Sequence, residues 1–280
     1  MVYADSVKNG ESVMSLAPNV FWNAHEMFEQ GVEPTILAIG DSWFWYPMPG
    51  GSLLNPLARM VAGKGHVILA VGENGAEAYD YMFGKYKKRI EMLLDRYGKN
   101  LSAVFISGAG NDFAGFNDLR PLLNPDCRGA SSAAACFRPD AEPESIGWLM
   151  NKIATSYRLL IGRIMVSTHP DIRIVTHTYD HAFPTGRGVF GKNSRWLLPA
   201  LADAGVPDPL RHACVKTLID RFADALVPIV ATDPVRIRRV DSRNILLEKD
   251  WSNELHPKGK GFRKLAKTAW KPVLEEIGLA

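Results

Sequence analysis

Three side chains in this 280-residue sequence have the types and placement for covalent chemistry: Ser42, Asn111 and His256. Ser42 closes Gly40-Asp41-Ser42, which follows directly on the β-prone run Thr35-Ile36-Leu37-Ala38-Ile39. A serine hydroxyl is a poor nucleophile until a base takes its proton, so this reading requires a histidine elsewhere. It also requires donors for the oxyanion that forms on attack. Asn111 ends the segment Gly108-Ala109-Gly110-Asn111-Asp112, Gly75 ends Gly72-Glu73-Asn74-Gly75, and His256 precedes Pro257 in a turn before the last helical stretch.

The elements that must position these residues follow from hydrophobic periodicity. Short apolar strands are expected at about 35–39, 66–71, 103–106, 172–176 and 235–240. Helices are expected at about 52–62, 76–97, 145–167, 211–231 and 260–277. Strands alternating with helices predict a three-layer α/β/α domain with a five-stranded parallel sheet covered on both faces. Ligands bind such sheets at the carboxyl ends of the strands. Ser42, the turn 72–75, Asn111, the loop from His177 to Phe183 and the residues after the last strand all fall on that edge. Residues 1–34 read as an N-terminal extension packed on the body, with Phe21, Trp22, Met27 and Phe28 in a short helix. The domain proper is 35–280. Periodicity is lost at about 113–143, which is read as an insertion or lid too short for its own core.

The ordered set of blocks resembles the SGNH hydrolases, also called GDSL-type esterases and lipases. Gly40-Asp41-Ser42 resembles that family's nucleophile block, Gly75 its glycine block, Gly108-Ala109-Gly110-Asn111-Asp112 its Gly-x-Asn-Asp block and His256-Pro257 its closing histidine. The resemblance spans residues 35 to 275 and implies a flavodoxin-like SGNH hydrolase fold. It implies that Ser42 attacks an ester carbonyl while His256 accepts the proton and returns it to the leaving alcohol. The backbone N–H groups of Ser42 and Gly75 and the side-chain amide of Asn111 would then hold the oxyanion, with Gly72 as a second candidate for the glycine. One position departs from the family: the aspartate expected three residues before the histidine is Asn253. An asparagine carbonyl can fix the imidazole tautomer but supplies no negative charge. Asn253, Asp250 and Glu254 therefore all stand as candidates to orient His256, as does a backbone carbonyl acting on a Ser-His dyad.

Trp43, Phe44 and Trp45 follow the nucleophile and are read as an apolar or stacking wall for substrate, with His181 lining the cleft. The loop at 179–196 joins them as a source of specificity. His177-x-x-Asp180-His181 lacks a third ligand at a recognisable spacing, so no metal is expected. No phosphate loop or dinucleotide fingerprint is present, and no cofactor is expected. Lys and Arg are scattered over a chain of net charge +3, which argues against nucleic acid as a partner. No apolar run reaches the ~18 residues of a membrane span. Residues 1–30 show no basic region followed by an apolar one, so the expected location is the cytoplasm, or export without a recognisable signal peptide. Three cysteines do not make a disulfide framework, although Cys127 and Cys136 could pair. The sequence leaves oligomeric state open. The leading expectation is a serine esterase acting on lipid or short acyl esters. The alternatives are a carbohydrate O-acetylesterase of the same fold and a non-catalytic ligand-binding module that kept it.

Overall fold

The computed structural model describes residues 17–45, 51–188 and 196–280. Residues 1–16 of the expected extension and 189–195 of the expected specificity loop lie outside the described residues. Among the described residues six parallel strands form one sheet in the order β1-β3-β2-β4-β5-β6. They are β1 (Val20–Phe21), β2 (Ile36–Gly40), β3 (Ile68–Gly72), β4 (Ala103–Ser107), β5 (Arg173–His177) and β6 (Ile237–Val240). The central strands are apolar without alternation and buried along their length, as a sheet covered on both faces demands.

The sixth strand corrects the expected five. Val20 and Phe21 pair in parallel with Ile68 and Leu69 along the outer edge of β3, so Phe21 is strand and not helix. The short helix begins only at α1 (Ala24–Glu29), capped by the Asn23 side chain on the His25 N–H at 2.9 Å. Of the residues expected to pack there, Met27 is buried and Phe28 is exposed.

The remaining helices are α2 (Ser42–Trp45), α3 (Leu54–Ala62), α4 (Lys87–Tyr97), α5 (Phe116–Leu119), α6 (Ile146–Ser167), α7 (Leu198–Asp203), α8 (Asp208–Val230), α9 (Gly259–Leu265) and α10 (Lys271–Glu276). The expected helix at 76–97 is interrupted. A 3-10 turn, Ala78–Tyr81, precedes α4, and Gly84 lies where a Cβ would stand 2.3 Å from the Asp80 carboxylate. That carboxylate also accepts the Glu77 N–H at 3.2 Å, so the chain turns tightly before α4 starts.

The segment 113–143 carries α5 and short 3-10 turns tied by an isolated bridge between Leu123 and Phe137. Its thiols, Cys127 and Cys136, are buried and free, as is Cys214 on α8. Among the described residues no helix is long and apolar enough to cross a membrane.

Candidate active site

The turn that presents Ser42 is built by a glycine and an aspartate. Phe44 folds back under β2 so closely that a Cβ on Gly40 would lie 2.3 Å from its ring, so only glycine fits there. Asp41 then caps α2. Its carboxylate Oδ1 accepts the Trp43 N–H at 3.0 Å, and its carbonyl accepts from Phe44 and Trp45 N–H at 3.0 Å each. Ser42 sits between them as the first residue of α2, 9% exposed.

His256 reaches Ser42 from a loop 214 residues further on. Its Nε2 stands 2.8 Å from Ser42 Oγ, and its Nδ1 stands 3.1 Å from Asn253 Oδ1. The identity of that amide oxygen is fixed by its surroundings, because it also accepts the Leu255 and His256 backbone N–H groups at 2.9 Å each. A carbonyl oxygen cannot donate, so Nδ1 carries the hydrogen and Nε2 is left to accept the Ser42 proton. Burial holds the imidazole down at about 3, so it is a neutral base over the ordinary pH range. The loop is pinned by the Ser252 N–H on the His256 carbonyl at 2.8 Å and by a bridge between Trp251 and Pro257.

The two nearby carboxylates do other work. Asp250 accepts the Leu247 N–H at 3.0 Å and pairs with Lys264 at 3.5 Å. Glu254 is fully buried and takes the N–H groups of Gly186, Trp196, Leu197 and Leu198 at 2.8–3.0 Å. The structure therefore gives Asn253, and neither of these carboxylates, to the histidine ring.

Asn111 follows β4 and lines the same cavity as Ser42; its amide donates to the Ala76 carbonyl at 2.9 Å. Gly75 has φ +83°, and a Cβ there would meet nothing within 4 Å, leaving its surroundings open. Gly72 has a different reason to be glycine. A Cβ on it would lie 1.9 Å from the Gly40 carbonyl, so its bareness serves the pairing of β2 with β3.

The cavity beside Ser42 measures about 40 Å³ and is walled chiefly by apolar side chains. Phe113, Ala182, Leu197, Val215 and Ile219 belong to the wall, and Trp43 lines it from the Ser42 side. Of the expected substrate wall only Trp43 lies there. One turn of helix sends Phe44 into the core, fully buried against His177 and Trp270, and Trp45 against Trp22 at 4.6 Å between ring centres. His181 is not at the cavity either. Its Nε2 pairs with Asp220 at 2.9 Å and its Nδ1 faces Asn244 at 3.2 Å. Among the described residues no group of three His, Cys, Asp or Glu side chains is placed to hold a metal ion.

Sequence reasoning missed Val215 and Ile219, which look like any other core residues of α8. It also missed Tyr179, whose hydroxyl donates to Asp41 Oδ2 at 2.5 Å. Nothing in the local pattern separates these from ordinary interior positions.

Against known proteins, the described fold resembles that of a candidate platelet activating factor from Streptococcus pneumonia. The likeness has a TM-score of 0.52 at 15% identity, over 91% of this chain and 88% of that one. The likeness is one of fold: a three-layer α/β domain around a parallel sheet. Looser likenesses include a carbohydrate acetylesterase from Sinorhizobium meliloti, with a TM-score of 0.49 and 12% identity over 88% and 99% of the two chains. A family two carbohydrate esterase from Clostridium thermocellum gives 0.48 and 13% identity, over 89% of this chain and 66% of that one. No family model matches the sequence, and neither does any curated protein.

Proposed function

We propose that this chain is a serine esterase that cleaves a short acyl ester through an acyl-enzyme. The observation that carries the reading is the 2.8 Å contact between Ser42 Oγ and the accepting nitrogen of His256. A protein that kept the fold only to bind a ligand has no need for that contact, and none for an imidazole locked in the accepting tautomer.

In the proposed reaction His256 Nε2 takes the Ser42 proton as Oγ attacks the ester carbonyl. The bond to the alcohol oxygen breaks as that proton is handed to it, leaving the acyl group on Ser42. Water then attacks the acyl carbonyl with the same base, and acid and free Ser42 are released. The backbone N–H groups of Ser42 and Gly75 and the Asn111 amide are the proposed oxyanion donors, each worth about 3–4 kcal/mol of transition-state stabilisation. The apolar cavity beside Ser42 supports a short acyl chain as the group bound there, because it offers volume and little polarity.

Intact-mass labelling with a fluorophosphonate tests the reading. One adduct is expected on the wild type and none on Ser42→Ala or His256→Ala. Folded wild type that takes no adduct would remove the esterase reading and bring the ligand-binding alternative forward. A p-nitrophenyl ester series from acetate to octanoate then tests the acyl part, with activity expected to fall beyond the shortest chains.

A further inference from the structure

Beneath the Ser42 turn lies a row of polar side chains that the proposed reaction leaves unused. Asp41 follows β2, Ser107 ends β4 and His177 ends β5, so three neighbouring strands deliver their last side chains to one place. All three are buried, at no more than 1% exposure. Ser107 Oγ stands 2.9 Å from Asp41 Oδ1 and 3.0 Å from His177 Nε2. His177 Nδ1 stands 2.5 Å from the Thr178 carbonyl oxygen.

The hydrogens in this row can be counted. The Thr178 carbonyl only accepts, so His177 Nδ1 carries a hydrogen. A neutral imidazole then has a bare Nε2, and an ionised Asp41 can only accept. The single Ser107 hydroxyl hydrogen would lie between two acceptors and satisfy one of them. The other contact would set lone pair against lone pair inside a buried site, where such a clash is not relieved by solvent.

Among the described residues no neighbour supplies the missing hydrogen. The Tyr179 hydroxyl already goes to Asp41 Oδ2, the Tyr81 hydroxyl to the Ser107 carbonyl and the Tyr157 hydroxyl to the Gly108 carbonyl. The Trp43 N–H occupies Asp41 Oδ1. Around His177 stand the rings of Trp43, Phe44, Tyr179 and Trp270. Asp41 is held by hydrogen bonds from Tyr179, Trp43 and Ser107, and no cation pairs with it among the described residues.

We propose that Asp41, Ser107 and His177 hold one proton beyond those of a carboxylate and a neutral imidazole, and that this relay fixes the turn presenting Ser42. With the proton on Asp41, its carboxyl donates to Ser107 Oγ and the Ser107 hydroxyl donates to His177 Nε2. Every contact then has its hydrogen and no charge is buried. Burial works in the same sense on both ends, raising the Asp41 carboxyl and lowering His177 to about 4. The three are positioning residues. Asp41 caps the helix that begins at Ser42, and the relay ties that cap to two further strands. This role rests on the esterase reading, whereas the proton count stands without it.

Carbon-13 and nitrogen-15 NMR of the wild-type protein at pH 7 tests the count. The expected spectrum shows a protonated Asp41 carboxyl beside a neutral His177 with its hydrogen on Nδ1. An imidazolium beside a carboxylate would also retain the extra proton and support the relay. An ionised Asp41 beside a neutral His177 would overturn it. Ser107→Ala tests the positioning role: kcat is expected to fall about tenfold with KM nearly unchanged. A folded Ser107→Ala enzyme with wild-type kcat would remove that role. If the variant does not fold, the wild-type spectrum still decides the count. A missing fluorophosphonate adduct, by contrast, would sink the esterase reading and leave the spectrum as it is.

Discussion

Trp43 donates its indole N–H to the Leu255 carbonyl at 3.0 Å, joining the neighbour of Ser42 directly to the neighbour of His256. The two halves of the proposed nucleophile–base pair are 214 residues apart in sequence, and this bond is a second tie between the two segments that carry them. Trp43→Phe keeps most of the ring packing against Tyr179, Trp251 and Phe262 and loses the tie. The expected result is a fall in kcat of about tenfold with little change in KM, read from steady-state hydrolysis of p-nitrophenyl acetate.

Asn253 sets the tautomer of His256 without bringing a charge. Asn253→Ala should free the ring to turn and lower kcat/KM by about a hundredfold or more. Asn253→Asp should keep the geometry and add a carboxylate that stabilises the imidazolium formed during attack, raising kcat above wild type. An Asn253→Asp enzyme that folds and is slower than wild type would show that the site is built around a neutral orienter.

The pH profile follows from the same residue. His256 must be neutral to accept a proton, and burial lowers it from 6.5 to about 3, so activity should stay level down to acid pH and fall only as His256 is protonated. In Asn253→Asp the acid limb should move upward. Stability has a matching sign. The unfolded chain binds a proton on this histidine below about 6.5 and the folded one does not. Stability is therefore complete above that pH and is lost as pH falls toward 3, which urea titrations at pH 4, 5 and 7 would read.

Acyl selectivity should follow the cavity wall. Ala182→Phe places a ring where the wall now has a methyl group, and should depress butyrate hydrolysis more than acetate hydrolysis. Ile219→Ala enlarges the same space and should shift the preference toward longer chains by about 1–3 kcal/mol, or roughly 10–200-fold in the ratio of kcat/KM values. A chain-length series on the two variants checks both directions.

Asp112 carries a buried burden beside Asn111. Its Oδ2 accepts the Ala78 N–H at 2.8 Å, and its Oδ1 has no partner. Burial raises this carboxyl to about 7. An acid with a raised folded value loses stability as pH climbs from its unfolded value near 3.8 through 7, because the folded state resists ionisation. Asp112→Asn should therefore raise Tm at pH 8 by about 2–4 °C for each kcal/mol recovered, and raise it less at pH 5, where the cost is only partly developed. Thermal melts at the two pH values give the comparison.

Much of this architecture was open to a reader of the sequence. Strands β2 to β5 run within two residues of the apolar segments that announced them, and polar residues just past such strands gather at one edge by topology alone. Ser42, Asn111 and His256 are found there for that reason. What stayed hidden depends on facts that a short window does not carry. β1 is two residues long and exists because β3 has a free edge. Phe44 and Trp45 look like wall residues until the chain is known to coil at Ser42, which turns successive side chains in different directions. Ser107 and His177 gain their meaning only from each other, at the ends of two strands and 70 positions apart in sequence.

Glu254 gathers four backbone N–H groups from residues 186–198, one of them on Leu197, a cavity wall residue. It is two positions from His256, with Leu255, another wall residue, between them. The proposed acyl-binding wall and the proposed base are thus parts of one hydrogen-bonded piece. An ill-fitting substrate cannot push the wall aside without also displacing the imidazole. Discrimination among acyl chains should then be felt in turnover as well as in binding, and loosening Glu254 would blur both together.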